Sequence, residues 1–358
     1  MKGPMTSTSD QTPQDALGLI ESAACNLCRS AKSRLLFSSK ERQYKDVVCS
    51  VEFGVVQCAD CGHVYLDPRV KEGRISSFYP QTYYTRSARP EESPARRVKR
   101  DIYKLVAQRY FGYPKVVTEQ SEWLPVLRAV LPLLYLVYNF RFRRILPYQP
   151  DGRMLDFGFG GPDYLLLMRD LGWDCWGVDA DKSWFPMLRQ RGVSAGDDLF
   201  DKTMPAGGYD WITSYHSLEH IYDPKAALAR FAQLLKPGGR LYLGVPNYDS
   251  FSARFWGPYW YNLSVPIHLN FFSPKSLERY LEEAGFTIIR LQHRSLPEDF
   301  PASLQFFLNE WISRLLGGKR TSMLLRDSRL SRLVFFPVGL MLDLLRMGDR
   351  IEITAVKR

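Results

Sequence analysis

From Asp151 onward the chain alternates short apolar strands with amphipathic helices, and this alternation limits the fold more than any other feature. Arg153–Phe157 reads as a strand, followed at once by glycines and a helix over 164–171. Strands follow at 175–178 and at Tyr209–Tyr215, then an amphipathic helix at 224–235 that ends in Pro237-Gly238-Gly239. A strand at 240–245 stops at Pro246-Asn247. A helix at 275–284, a strand at 286–291 and a half-buried closing strand at 350–356 complete the series. Strands separated by helices predict a mostly parallel sheet with helices on both faces, an α/β fold.

The first strand–helix junction carries the chemistry. Leu155-Asp156-Phe157-Gly158-Phe159-Gly160-Gly161 lets backbone N–H groups approach a ligand at a helix N-terminus. About twenty residues later the second strand, Trp176-Gly177-Val178-Asp179, ends in a carboxylate able to accept from both ribose hydroxyls. Asp156, ahead of the first glycine, would repel a pyrophosphate and suits a sulfonium or amino group instead. Pro162 stands where a third glycine is usual and removes one backbone donor.

Two Cys-x-x-Cys pairs, Cys25/Cys28 and Cys58/Cys61, lie about thirty residues apart, while Cys49 and Cys175 stand alone. A tetrahedral metal takes two ligands from each tight turn, so this spacing predicts a structural zinc with a closed coordination sphere. Four sulfurs leave no position for His63. Cysteine usage of this kind, with a polar N-terminus lacking an apolar signal core, points to a reducing, cytoplasmic setting.

Taken in order over 151–293, these motifs resemble those of class I S-adenosylmethionine-dependent methyltransferases. Leu155 to Gly160 is similar to the family's first motif and Gly177-Val178-Asp179 to its ribose motif. His216-Ser217-Leu218-Glu219-His220-Ile221, Leu235-Lys236-Pro237-Gly238-Gly239 and Pro266-Ile267-His268-Leu269 are similar to later ones. The resemblance implies a Rossmann-like class I sheet with S-adenosylmethionine contacts at Asp156, Gly158, Gly160, Asp179, Asp197 and His216. The cysteine segment, with Tyr79, Tyr83 and Tyr84, is similar to the zinc-ribbon-like module of bacterial sugar and polysaccharide methyltransferases, in which a tyrosine-bearing segment closes over the acceptor. The expected organisation is a flexible tail at 1–20, a zinc-binding module at 21–84, a helical linker or lid at 85–150, the methyltransferase domain at 151–296, an apolar helical insertion at 297–348, and the last strand at 349–358.

Oxygen or carbon acceptors need a proton removed, and histidine does this near neutral pH. Three of the five histidines, His216, His220 and His268, fall beyond strand ends, where open α/β sheets bind ligands. His220 is the first candidate for the base and His268 the second, with Glu219 orienting one of them. Related sugar C-methyltransferases carry Glu-His where Ile267-His268 stands, so O-methylation is favoured. The expected acceptor is a small molecule, sugar or lipid-linked glycan.

Two other readings fit parts of the sequence. Zinc and a net charge of +10 suit an RNA methyltransferase, but the basic residues lack the aromatic interleaving of a stacking platform. A zinc-bearing interaction protein on a decayed methyltransferase fold would account for Pro162. Apolar helices at 123–140, 301–316 and 329–347 are too interrupted to span a bilayer. Arg141, Arg143, Arg144, Arg329 and Arg332 flank them, as basic residues flank helices at an anionic membrane surface. A lid over the acceptor or a homodimer interface would also bury them.

Overall fold

The structure is a computed structural model that describes residues 18–43, 51–79, 94–114, 124–142, 144–317 and 323–358. Cys49, Tyr83, Tyr84, Arg143 and most of the expected tail lie outside the described residues.

The N-terminal third contributes strands β1 (Ile20–Glu21), β2 (Ser33–Ser39), β3 (Phe53–Cys58), β4 (Val64–Leu66) and β5 (Arg69–Val70), then helices α1 (Pro94–Tyr110) and α2 (Leu124–Phe142). The alternating region begins with β6 (Arg153–Phe157), α3 (Asp163–Asp170), β7 (Asp174–Val178), α4 (Phe185–Gln190), β8 (Ser194–Gly196) and β9 (Tyr209–Tyr215). It continues with α5 (Pro224–Leu234), β10 (Leu235–Pro246), α6 (Phe251–Trp256), β11 (Asn270–Phe271), α7 (Pro274–Glu283) and β12 (Phe286–Arg294). The chain closes with α8 (Asp299–Leu316), α9 (Leu324–Asp327), α10 (Arg329–Leu344) and β13 (Arg350–Lys357).

Seven strands form one sheet in the order β8-β7-β6-β9-β10-β13-β12. Strand β6 is parallel to β7 and β9, and β7 is parallel to β8. The chain builds outward from β6 to β8, then returns to place β9 on the other side of β6. That reversal is a topological switch point, where the carboxyl ends of such strands bind ligands. The α/β class expected from the alternation, and the Rossmann-like sheet that the resemblance implied, are the ones observed. Two details differ. Strand β10 starts at Leu235, five residues before the expected 240, with Gly238 at φ 70° bending the chain inside it. Helix α4 and strand β8 had no clear signal, being six and three residues long.

By internal contacts the chain divides into two compact units: residues 1–83, 216–229 and 243–355 form one, and 84–215, 230–242 and 356–358 the other. The first unit contains a four-stranded sheet, β11-β4-β3-β2. Antiparallel pairing of β4 with Asn270–Phe271 joins the cysteine segment to residues two hundred positions later. Its core holds Phe53, Leu66, Trp260, Leu263 and Phe271. The second unit centres on Met154, Leu165, Met168, Trp173 and Leu188. Gly177 is closely packed there: a Cβ at that position would meet Leu165 Cδ1 at 2.6 Å and Phe159 Cδ1 at 2.8 Å, so a side chain would force those two to shift. Its absence lets strand β7 lie close against the glycine loop and α3.

Candidate active site

In the second unit the glycine loop runs from the end of β6 into α3. Gly158 and Gly160 take φ of 67° and 62°, values that glycine alone adopts without strain. Gly158 N–H donates to Val178 O at 2.7 Å, which fastens the loop to the end of β7. Pro162 takes the N-cap position of α3, and its carbonyl accepts from Leu166 N at 2.9 Å. The missing N–H is thus accommodated at the helix start, where such a donor has no intrahelical partner.

Asp179 accepts from Gly160 N at 2.7 Å on one oxygen and from Asp181 N at 2.8 Å on the other. Burial pushes its carboxyl up, and those two amides oppose the rise. An ionised carboxylate has about four acceptor sites, so two remain for a pair of ribose hydroxyls. On this count the residues present fit S-adenosylmethionine. Register brings Asp197 beside Asp179, because Val178 pairs with Gly196. Asp197 is exposed and bonded to Lys182 Nζ at 2.6 Å, a hydrogen bond that lowers its pKa.

Asp156 is held by side chains of the same unit. It is fully buried, accepts from Thr213 Oγ1 at 2.6 Å, and faces Arg144 Nη2 with both oxygens at 3.2 Å. Burial pushes the carboxyl up while the guanidinium pulls it down. Burial also disfavours the Arg144 charge, and Asp156 together with Tyr164, Tyr242 and Tyr215 more than restores it. The negative charge expected to await the cofactor is already balanced. Arg144 lies over the Tyr164 ring at 4.0 Å and the Tyr215 ring at 5.1 Å. Its place beside Asp156 corrects its reading as a headgroup-facing flank of an apolar helix.

In the first unit three histidines and a glutamate converge. His216 takes φ 55°, a left-handed conformation that turns the chain into the short helix Leu218–His220. Leu269 N–H donates to Glu219 O at 2.8 Å, tying this turn to the buried segment that carries His268. His220 Nδ1 lies 2.9 Å from Ile267 O and 3.1 Å from Tyr79 Oη. His268 Nδ1 lies 2.8 Å from Asn262 O. A carbonyl can only accept, so both rings carry a proton on Nδ1, and His220 makes a further backbone hydrogen bond to His216. The two rings meet edge to face with centroids 4.6 Å apart.

Arg350 Nε donates to His216 Nε2 at 2.8 Å, so His216 Nδ1–H points to Glu219 Oε1 at 3.1 Å. Both ring nitrogens of His216 are engaged within this cluster. Arg350 is itself clamped by Asp299 through bonds of 2.6 and 2.9 Å. Glu219 is fully buried, its Oε2 has no hydrogen-bond partner, and burial pushes its carboxyl up to about 7. Burial pulls His220 below the ordinary histidine value and His268 well below it, with the Glu219 carboxylate opposing the shift on His220. Arg144, Thr213, Asp299 and Arg350 were not candidates from the sequence; no local motif marks them.

Among the described residues, two clusters bring three or more metal-type donors within 4.8 Å of one another: the four cysteines, and Glu219 with His220 and His268. In the cysteine cluster, Cys25 and Cys61 sulfurs lie 3.5 Å apart and those of Cys28 and Cys58 3.4 Å apart. Zinc–sulfur bonds of about 2.3 Å place tetrahedral sulfurs about 3.8 Å apart, so slight expansion admits the ion. The two knuckles match in backbone. Arg29 N donates to Cys25 O at 2.8 Å and Gly62 N to Cys58 O at 3.0 Å, with Arg29 at φ 65° and Gly62 at 76°. The donor set fits zinc.

Residues 138–291 match the family model of a methyltransferase domain. The strand order and glycine loop above agree with this match. Over residues 138–291 the chain carries a methyltransferase domain. Domains of this family take the transferred methyl group from S-adenosylmethionine. Among curated proteins, the methyltransferase domain is similar to the ubiquinone biosynthesis O-methyltransferase of Bordetella avium, 31% identical over 145 residues, covering 38% of this chain and 58% of that protein. The enzyme of the same name from Aeromonas salmonicida is 29% identical over 150 residues, covering 38% and 63%. The chain thus spans about three-fifths of the length of these relatives. A solved methyltransferase from Archaeoglobus fulgidus superposes with a TM-score of 0.41 at 19% identity, covering 63% of this chain and 98% of that one.

Proposed function

We propose that this protein is an S-adenosylmethionine-dependent O-methyltransferase that acts on a hydroxyl group of a small molecule, sugar or lipid-linked glycan, with His220 as general base. The observation that carries the reading is the buried imidazole pair, in which backbone carbonyls at 2.9 and 2.8 Å hold the Nδ1 protons of His220 and His268. The O-methyltransferase names of the curated relatives support oxygen as the acceptor atom. Ile267, standing where a carbon-methylating relative would carry glutamate, supports it too.

When bound, S-adenosylmethionine supplies a methyl group made electrophilic by the sulfonium. Asp179 would accept from the ribose hydroxyls, with Gly158, Gly160 and Asp197 at the same loop ends. His220 Nε2 takes the acceptor's hydroxyl proton, which leaves the oxygen's electron pair free to form the new bond. The Glu219 carboxylate stabilises the imidazolium so formed, and Ile267 O holds the ring in orientation. His268 is the second candidate for the proton.

The decisive assay incubates the protein with S-adenosylmethionine and a panel of phenols, catechols and sugars, and measures S-adenosylhomocysteine. Turnover with one of them is expected. Calorimetry should show cofactor binding that Asp179→Ala weakens by about 1.5–3 kcal/mol, the cost of a lost pair of charge-assisted bonds. No binding by the wild type at millimolar cofactor would overturn the reading.

The same proposal assigns one structural zinc to Cys25, Cys28, Cys58 and Cys61. Strands β3 and β4 lie on either side of the second knuckle, so loss of the ion should loosen the four-stranded sheet, metal binding and folding being coupled in such sites. Elemental analysis of protein purified without chelator should find one zinc per chain; none found would refute the assignment.

A further inference from the structure

Helices α8 and α10 in the first unit are built inside out on their outward sides. Of the 22 large apolar residues exposed among the described ones, 12 lie between Phe307 and Leu345. One face of α8 is properly seated, with Ala302, Gln305, Phe306 and Asn309 buried. The opposite face presents Phe307, Trp311 and Leu315, each one turn beyond the last, where a helix at a protein surface normally carries polar groups. Helix α10 goes further: only Ser331 and Leu342 are buried in it. Leu330, Leu333, Val334, Leu340, Met341 and Leu344 form a full helical stripe facing outward, Leu333 being 71% and Leu344 85% exposed. The rings of Phe300 and Phe335, 5.3 Å apart, join α8 to α10. A contiguous apolar surface of this kind marks an interaction site.

The charges indicate the occupant. Residues 307–346 hold seven Lys or Arg against three Asp or Glu. Two of the acids are turned away from water: Glu310, 19% exposed, pairs with Arg314 and Lys40, and Asp343, 12% exposed, pairs with Arg294. Arg329 and Arg346, just at or past the two ends of α10, are exposed. An apolar stripe bordered by cations suits an anionic bilayer surface. A second copy of this chain would bring the same cations against each other. A helix left uncovered on several sides also suits a fluid that closes around it better than a rigid protein groove. No described helix is long and apolar enough to cross a membrane, so the contact is one of lying in the surface.

We propose that α8 and α10 form a docking face for anionic phospholipid bilayers, with Phe307, Trp311, Leu333 and Leu344 entering the headgroup–acyl boundary and Arg329 and Arg346 meeting lipid phosphates. The proposal stands apart from the assignment of the base or the acceptor. Flotation of the full chain with vesicles of phosphatidylcholine alone, or mixed with phosphatidylglycerol, tests it. The wild type should float with the anionic vesicles at low salt and be released by high salt. Arg329→Gln and Arg346→Gln should each weaken partitioning about fivefold, as expected for one basic residue near such a surface. The pair Leu333→Glu and Leu344→Glu should abolish it while the melting temperature holds, both positions being exposed. As a readout independent of those variants, brominated lipid should quench tryptophan fluorescence in the wild type and less in Trp311→Phe. A wild type that stays with the soluble fraction in both vesicle types overturns the proposal, and self-association broken by Leu333→Glu would then identify a second copy as the occupant. Equal flotation of the Leu333→Glu/Leu344→Glu protein also overturns it.

Discussion

Asp156 and Glu219 are both fully buried carboxylates, one in each unit, yet their surroundings treat them differently. Asp156 has a guanidinium against both oxygens and a threonine hydroxyl besides. Glu219 has one histidine N–H on Oε1 and no hydrogen bond on Oε2, and Arg350, bonded to His216, lowers its pKa only through charge. A buried charge that is paired and hydrogen-bonded is structural material. One left half-satisfied among neutral imidazoles has its proton affinity raised, and perturbed groups of that kind gather where proton transfer occurs. The contrast teaches that burial alone does not mark a working carboxylate; what the neighbours leave undone does.

The largest effect expected from this contrast is on catalysis. His220→Ala should cut turnover by about 10²–10⁴ with cofactor affinity nearly unchanged, measured on whichever acceptor the assay identifies. A mutant keeping most of its activity would pass the role to His268 and break the link between Glu219 and proton transfer.

Next in size is a structural effect. Arg144→Met leaves the Asp156 carboxylate buried without its cation, which should cost about 3–5 kcal/mol of unfolding free energy, read from urea denaturation. Arg144→Met with Asp156→Asn removes both charges and should recover most of the loss, since the Thr213 hydroxyl keeps a partner. If the double variant is as unstable as the single one, Asp156 is not the reason Arg144 matters, and the comparison fails on its structural side.

The two regions also differ in how much of them a reader of the sequence could see. The cofactor loop is contiguous: glycines, a carboxylate one strand later, and an α/β sheet whose class follows from alternation. Its chemistry lies mostly in backbone N–H groups, so residue type and spacing nearly suffice. The histidine cluster is drawn from Tyr79, residues 216–220, residues 262–268, Asp299 and Arg350, which only the folded chain assembles. Histidines beyond strand ends could be picked out, but which ring nitrogen is free depends on carbonyls of Asn262 and Ile267 that no side-chain pattern encodes. Arg144 misled for a related reason. It follows an apolar helix in sequence, and only β6 and β9 lying side by side put Asp156 and Thr213 within its reach. The antiparallel pairing of β4 with Asn270–Phe271 was equally invisible, because a two-residue strand has no periodicity to read.

The smallest effect is also the most specific to the contrast. Burial disfavours the charged form of His220, so its folded pKa lies below the ordinary histidine value. The base must be neutral to accept a proton, and activity is lost only as pH falls through that depressed value. The acid limb of kcat/KM should therefore lie below pH ~6.5, the unperturbed histidine value. The Glu219 carboxylate acts in the opposite sense, raising the His220 pKa by favouring the imidazolium. Glu219, pushed up to about 7, is ionised only toward and above neutral pH, so Glu219→Gln removes a charge present on the plateau and largely absent on the acid limb. Turnover on the plateau should drop by about tenfold or less, because a weaker base with the same geometry loses only part of its driving force, and the deficit against the wild type should shrink as pH falls onto the acid limb. A residue that merely packed the turn would change expression or melting temperature and lower activity equally at every pH. If the deficit is the same across the profile while His220 remains essential, Glu219 does not act on the base through its charge.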